Sequence, residues 1–320
     1  MLKVAARTKE NDMVASDFYT VLTDKGLIQL SGPEKEKYLQ GQITADVNAL
    51  TANKALLACH CDFKGKTWSV SYLFSWQQDL LLLSHSSVLE KSLSELKKYG
   101  VFAKVTITNG SENWLISAGL GKAVEAEIIR VFGLLPELNQ EIVHNDHGLV
   151  MALHGNSTRY VILQPQTAAN KVSIDSTPAG EILWEIEDIK AGIADVRLAT
   201  ANEFVPQMMN LQQLDAISFS KGCYMGQEVV ARTKYLGKNK RAAFRLHGEG
   251  SHQTQAGDSL ELQLGENWRP AGKILRSATH KGQSWLLAVL AHDTEIGSVM
   301  RLKESPETIF TVLPQPYELA

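Results

Sequence analysis

Cysteine is scarce in this chain. Three in 320 residues cannot build a disulfide framework. They also fall one short of the four thiolates that usually hold an iron–sulfur cluster, so any cluster in this protein's biology is expected on a partner. Long apolar runs are missing: stretches such as Leu80-Leu81-Leu82-Leu83 are far below the ~20 residues of a membrane span. Met1 to Val14 is mixed and polar, without the apolar core of a secretory signal. No membrane association and a cytoplasmic location are therefore expected. An excess of one charge is missing too. A net charge of −3 argues against strong direct nucleic-acid binding, although not against a local basic patch. What is present is ordinary for a globular protein: 44% hydrophobic and 21% charged residues, in a chain long enough for roughly two or three domains.

The patterning is α+β up to about Gly237. Gly26–Ser31 reads as a strand closed by Gly32-Pro33, with Pro33 suited to the first turn of a helix through Tyr38. Strands are expected near Leu56–Cys61, Thr67–Phe74 and Leu80–Ser84, then a helix near Ser87–Tyr99 carrying Leu89, Leu93 and Leu96 on one face, and a strand over Val101–Ile107. A second such stretch follows: strand Trp114–Ala118, helix Lys122–Phe132, strands Leu149–Leu153 and Tyr160–Leu163, helix Glu181–Ala191. This order is typical of split βαβ units. Beyond Gly237, short strand-like runs (Ala243–Leu246, Ser259–Leu264, Ala271–Leu275, Trp285–Val289, Ile309–Val312) alternate with turn residues, as in a small β-barrel or sandwich. A domain boundary is expected near 236–242.

The most informative segment is Lys221-Gly222-Cys223-Tyr224-Met225-Gly226-Gln227-Glu228. A lone cysteine lies between glycines, which let backbone approach a ligand, and next to a lysine, whose charge favours thiolate. A cysteine that merely filled a core would more naturally have apolar neighbours. Cys223 is thus a candidate nucleophile, sulfur handler or ligand contact, against the blander reading of a half-buried residue in a tight turn. His247 and His252 lie downstream, but nothing in the sequence marks a His–Asp partner.

Other candidates are weaker. Arg232, Lys234, Lys238, Lys240, Arg241 and Arg245 form a basic run with no acidic residue between Val229 and Gly248. It reads either as a solvated strand edge or as an anion site where arginines clamp carboxylates. Cys59-His60-Cys61-Asp62 suggests metal at first sight, yet strand alternation puts the cysteines on one face and His60 and Asp62 on the other, with no second pair at zinc spacing. No metal is expected; Asp62, at the strand's end, is free to accept hydrogen bonds from a ligand. Trp184 is either core or a platform for a flat heterocycle. In Phe204–Leu211, Pro206 forces an extended or turn conformation before it, and the amides read either buried backbone or ligand.

With these residues in view, the chain resembles the YgfZ family of folate-binding, tRNA-modifying proteins, similar in fold to the glycine-cleavage T-protein (aminomethyltransferase). The resemblance rests on Tyr38-Leu39-Gln40-Gly41-Gln42-Ile43-Thr44-Ala45-Asp46-Val47, on His60-Cys61-Asp62 with Lys64-Gly65-Lys66, on Pro206-Gln207 with Asn210-Leu211, and above all on Lys-Gly-Cys-Tyr-x-Gly-Gln-Glu at 221–228. It implies three domains around a central cavity: a discontinuous folate-binding α+β domain (17–50 and 145–236), an inserted α+β domain (51–144), both ferredoxin-like, and a C-terminal β-barrel (237–320). It implies tetrahydrofolate or a one-carbon derivative as cofactor. The implied role is support of iron–sulfur enzymes, including tRNA methylthiotransferase. Cys223 and Lys221 carry over as the working pair, and Trp184, Asp62, Gly222, Tyr224, Gln227, Arg232 and Arg241 as cofactor contacts. In that reading Lys221 lowers the thiol pKa, and Cys223 and the arginines face the folate opening. Two departures stand out. Lys25 occupies the place where the family can have a second folate-contacting tryptophan. Ile189-Lys190-Ala191-Gly192 replaces a step whose glutamate suits the pterin donor edge, and lysine only donates; Glu187 or Asp188 could take over. The competing readings are a true aminomethyltransferase, a nonenzymatic RNA-binding module using the basic run, and a thiol hydrolase; the residues fit a catalytic and a purely binding thiol alike.

Overall fold

In the computed structural model, described for residues 17–319 apart from 156, 236, 238, 251 and 252, two five-stranded antiparallel sheets and a closed barrel account for all sixteen strands. Met1–Val14, Lys238 and His252 lie outside the described residues. Sheet A has the order β1 (Phe18–Val21), β7 (Trp114–Leu120), β10 (Arg159–Pro165), β9 (Gly148–Leu153), β8 (Ile142–Asn145). Sheet B has the order β3 (Leu56–Cys61), β4 (Thr67–Trp76), β5 (Asp79–His85), β2 (Lys25–Ser31), β6 (Thr106–Asn109). The helices are α1 (Lys35–Gln40), α2 (Ser86–Tyr99), α3 (Lys122–Phe132), α4 (Gly180–Lys190) and α5 (Gln227–Tyr235).

The two sheets pack face to face. Period-2 alternation in β5 shows why. Leu81 and Leu83 join Trp114, Ile116, Met151 and Trp184 in the core between the sheets. Leu80 and Leu82 face the other way, against Leu89, Leu93 and Leu96 of α2 and Tyr38 and Leu39 of α1. On the far side of sheet A, Val124, Ile128 and Val131 of α3 cover Val150, Ala152 and Ile162. The result is a four-layer α/β/β/α body. In sheet B, β5–α2–β6 is a split βαβ unit closing around β2, whereas α4 follows β10 with no strand returning to sheet A. The expected domain cuts at 50/51 and 144/145 run through the sheets, since β2 pairs with β5 and β6 and β1 with β7.

The barrel closes as β11 (Arg241–Glu249), β14 (Gln283–Ala291), β13 (Asn267–His280), β12 (Ser259–Leu264), β15 (Val299–Leu302) and β16 (Ile309–Val312). Leu286, Ala288 and Leu290 of β14 fill its interior. Their neighbours Trp285, Leu287 and Val289 point outward into a junction core with Cys59 and Cys61 of β3 and Ile186 and Ile189 of α4. This junction places the barrel beside the 180–235 segment.

One local expectation changes, and four elements went unread. Val101–Ile107 does not form a strand until Thr106; residues 101–105 are turns, and Phe102 is fully in solvent. The 227–235 helix and the short strands β1, β8 and β15 carried no periodic signal long enough to read.

Candidate functional site

The Cys223 loop is held rigidly from below. The Lys221 ammonium donates to the carbonyls of Ile43 (2.9 Å) and Ala45 (2.6 Å) and lies 5.2 Å from the Tyr224 ring centre. The Met225 amide donates to Gly41 O at 3.0 Å, and the Ser218 amide to Thr44 O at 2.9 Å. The Tyr38–Val47 segment is therefore the cradle of the cysteine loop. Burial lowers the Lys221 pKa to about 8, with Asp46 opposing the shift. The Lys221 ammonium thus braces the loop through backbone carbonyls; both acceptors are neutral, so its positive charge, two residues from Cys223, is not cancelled by them.

The glycines divide in their roles. Gly226 has φ +82°, and a Cβ there would meet Asp62 O at 2.5 Å and Gly65 Cα at 2.8 Å. Only glycine allows this approach between the cysteine loop and the 62–66 turn. A Cβ on Gly222 would touch nothing, so that glycine answers no steric demand of the loop. Asp62 is buried, and its Oδ1 accepts from the Lys64 and Lys66 amides, both at 2.8 Å. It caps the turn that supports Gly226, as an Asx residue does. Tyr224 is buried, Gln227 opens α5 half-buried, and Arg232 and Arg241 are exposed.

Cys223 itself is exposed. The other two thiols are sealed in β3: burial pushes Cys59 up to about 12 and Cys61 well above the ordinary thiol value. Both therefore stay protonated at neutral pH. His60 points to the opposite face, 2.8 Å from Ser92 Oγ and edge-on to Trp68. Among the described residues no group of three His, Cys, Asp or Glu side chains is placed to hold a metal.

Trp184 belongs to a different place. It lines a cavity between the two sheets and α4, together with Lys25, Tyr72, Asp188, Asp195 and Arg276. Cys223, Arg232 and Arg241 are not among the residues of that wall. Instead the cavity is rimmed by charges that the sequence left unconnected. Lys25 pairs with Asp195 at 2.9 Å. Arg276 reaches Asp188 at 2.6 Å and Glu185 at 2.5 Å, and Arg197 also meets Glu185 at 2.9 Å. Arg159 stacks 4.8 Å from the Trp184 ring centre. Its Nη2 lies 2.7 Å from Asp188 Oδ1, an ionic approach too poorly aligned to count as a hydrogen bond. Burial alone would raise the Glu185 carboxyl, but Arg276 and Arg197 outweigh it and hold it at about 2. Burial is likewise outweighed at Asp195 by Lys25, Arg197 and Arg276, which keep its carboxyl far below the usual range. Lys190, the second departure, bonds Glu187 at 2.9 Å. Asp188 and Asp195 are the carboxylates on the cavity wall, each already paired with a cation.

Arg245 of the basic run is buried, with its guanidinium on the carbonyls of Pro314 and Lys190; it ties barrel to α4. Asn210, at φ 59°, exchanges two hydrogen bonds with the Ala243 backbone, and Gln207 donates to Val230 O at 2.6 Å. The 206–211 amides thus read backbone.

Residues 239–305 match the YgfZ β-barrel domain. Over nearly the whole length, the chain is 39% identical to the tRNA-modifying protein YgfZ of Pectobacterium carotovorum subsp. carotovorum (307 residues; 93% of this chain, 91% of that protein). It is also 39% identical to that of Serratia proteamaculans (304 residues; 93% and 92%). The chain belongs to the YgfZ family. Its fold is similar to that of the glycine cleavage system aminomethyltransferase T from Bartonella henselae, with a TM-score of 0.74 over 97% of this chain and 88% of that one. At 13% identity the likeness speaks for fold alone.

The YgfZ family implies a folate. The residue types around Trp184 suit one: an aromatic ring, the Asp188 carboxylate for a donor edge, and the apolar walls of Leu57, Val70 and Val161. The open volume is about 40 Å³, room for about three waters. A pterin therefore fits the chemistry of this cavity but enters only when a wall moves. The Lys25–Asp195 pair and the Arg276–Asp188 pair are polar parts of that wall.

Proposed function

We propose that this YgfZ-family protein supports tRNA modification as a folate-binding accessory protein of iron–sulfur enzymes, tRNA methylthiotransferase among them. Cys223 is its functional thiol, and Trp184 and Asp188 hold tetrahydrofolate or a one-carbon derivative. The observation that carries this reading is the contrast among the three cysteines: two are sealed and protonated, while Cys223 is presented to solvent on a loop clamped by Lys221, Gly226 and the 38–47 segment. A loop braced so firmly around an exposed thiol costs the chain conformational freedom, which a merely space-filling residue would not require. The naming of the curated relatives as tRNA-modifying proteins supports the same reading.

When bound, tetrahydrofolate would supply one-carbon chemistry. The chain's own part at that cavity is to stack the ring system on Trp184, to accept from it at the Asp188 carboxylate, and to exclude water with its aliphatic walls. Its part at the loop is to hold the Cys223 sulfur at a fixed height above the 62–66 turn for a partner to reach.

The test is complementation of a deletion strain, read as methylthiolation of its tRNA. The wild-type gene restores the modification and Cys223→Ala does not; restoration by Cys223→Ala removes the thiol from the function. The folate half is tested separately by quenching of tryptophan fluorescence on adding tetrahydrofolate. Quenching that falls sharply in Trp184→Phe places the ligand in the cavity, and no quenching in either protein discards the folate. Release of ammonia from an aminomethylated carrier protein would instead establish an aminomethyltransferase.

A further inference from the structure

We propose that the cleft between the barrel and the 203–208 segment, continued by the exposed side of α5, is a docking surface for the phosphate backbone of RNA. This rests on the tRNA role proposed above and names the surface through which the chain meets its RNA directly.

The cleft has a volume of about 430 Å³ and is lined by Lys66, Glu203, Arg241, Glu261, Lys273 and Lys303 among others. Both carboxylates are already spent: Glu203 on Lys273 at 2.7 Å and Glu261 on Arg301 at 2.7 Å. The remaining cations are not neutralised. Lys66 donates to a neutral acceptor, the Glu203 carbonyl, at 2.6 Å. Lys303 meets only Glu304, at 4.0 Å, with that glutamate 87% exposed. The exposed Arg241 guanidinium has no hydrogen bond or ion pair among the described residues. Three positive charges therefore line one groove, two without a carboxylate partner among the described residues and the third, Lys303, held only loosely by an exposed Glu304.

These charges come from separate elements: the β3–β4 turn, the start of β11 and the end of β15. They are spread along an open groove rather than aimed at one point, which suits an extended polyanion better than a single small anion. The positive field also continues past the groove. Arg232 and Lys240 are exposed, and no acidic residue occurs between Val229 and Gly248. The path is physically continuous with the thiol: Asn239 donates to Gln207 O at 2.7 Å, Gln207 to Val230 O, and Gly65 of the Lys66 turn packs on Val229 and Gly226. A strand following this path runs from the barrel along α5 toward Cys223. The overall charge of −3 does not oppose this, because screening confines each charge to about 10 Å at 0.1 M salt.

The experiment measures binding of a tRNA transcript to the full chain as a function of salt. The expected result is a linear fall of log affinity with log salt. The slope becomes shallower by roughly 1.4–1.8 in Arg241→Gln/Lys303→Gln, for two lost phosphate contacts, and affinity at low salt drops about tenfold or more. Lys66→Gln, in a separate protein, shifts the slope in the same direction. Lys122→Gln/Lys281→Gln, which changes net charge equally at exposed positions outside the groove, leaves the slope where it was. Equal slopes in the two double variants would overturn the surface. So would loss of tRNA binding to millimolar inorganic phosphate at constant ionic strength, which would mark a small-anion site. A wild-type chain that restores tRNA modification in the deletion strain but binds no transcript sinks this surface alone. A wild-type chain that fails to restore modification sinks the tRNA reading itself.

Discussion

The Trp184 cavity and the Cys223 loop are built on opposite principles. The cavity is closed, its charges are matched pair by pair, and its open space is only a few waters wide. The loop is open, its one lysine is turned inward, and its cysteine is left to solvent. In the first, stability and binding compete for the same carboxylates. In the second, they are separated: Lys221, Gly226 and Asp62 carry the structure and Cys223 carries none of it. The difference teaches that a buried ionic site must be loosened to work, whereas a braced surface loop is ready without moving.

The comparison can be broken most forcefully at Asp188. Asp188→Ala leaves Arg159 without its carboxylate and strips Arg276 of one of two, so urea unfolding should show a loss of about 3–5 kcal/mol. A loss below 1 kcal/mol would mean the cavity charges are already solvated and the site already open. Next in size is Gly226→Ala. The left-handed backbone and the 2.5 Å approach to Asp62 O predict a cost of about 1–3 kcal/mol, with a changed rate of Cys223 alkylation. An unchanged rate would show that the loop is not braced through this contact.

Acid provides the third probe. Burial lowers His60 to about 3, so between its unfolded pKa near 6.5 and pH 3 the unfolded chain binds a proton that the native one does not. Native stability must then fall as pH drops through that window, by about 1.4 kcal/mol per pH unit for this one group. His60→Gln should flatten that slope by up to one proton in the pH dependence of the urea midpoint; an unaltered slope would assign the acid sensitivity elsewhere, for instance to His85, lowered to about 4 by burial and the Arg197 charge. The smallest effect is expected at Cys223. Cys223→Ala should stay within about 0.5 kcal/mol of the parent by urea unfolding while tRNA modification is lost. A large destabilisation would make the thiol structural and dissolve the contrast.

Much of the fold was legible. The helix over Lys122–Phe132 was expected to the residue because Val124, Ile128 and Val131 repeat at helical spacing, and strands 56–61, 259–264 and 309–312 likewise, because their residues and flanking turns agree. The candidate site was legible only in part. Cys223 stood out through its neighbours, but the neighbours' roles did not. Lys221 was read only as an activator and also braces the loop; Asp62 was read only as a ligand contact and also caps a turn. Arg245 looked like surface charge and is a buried tie. A side chain's partner can lie anywhere in the chain: Lys221 bonds carbonyls 176 and 178 residues away, and the Lys25–Asp195 pair spans 170.

The amino-acid order alone determined where most helices and strands form, that the C-terminal part is a different kind of domain, and which cysteine is exceptional, because these depend on local periodicity and on chemical neighbours within a few residues. Tertiary structure alone decided which charges meet, which carboxylates are paired with them, and that Cys223 lies outside the wall that holds Trp184. Those outcomes depend on distance and desolvation in the folded state, and a linear order of residues carries neither.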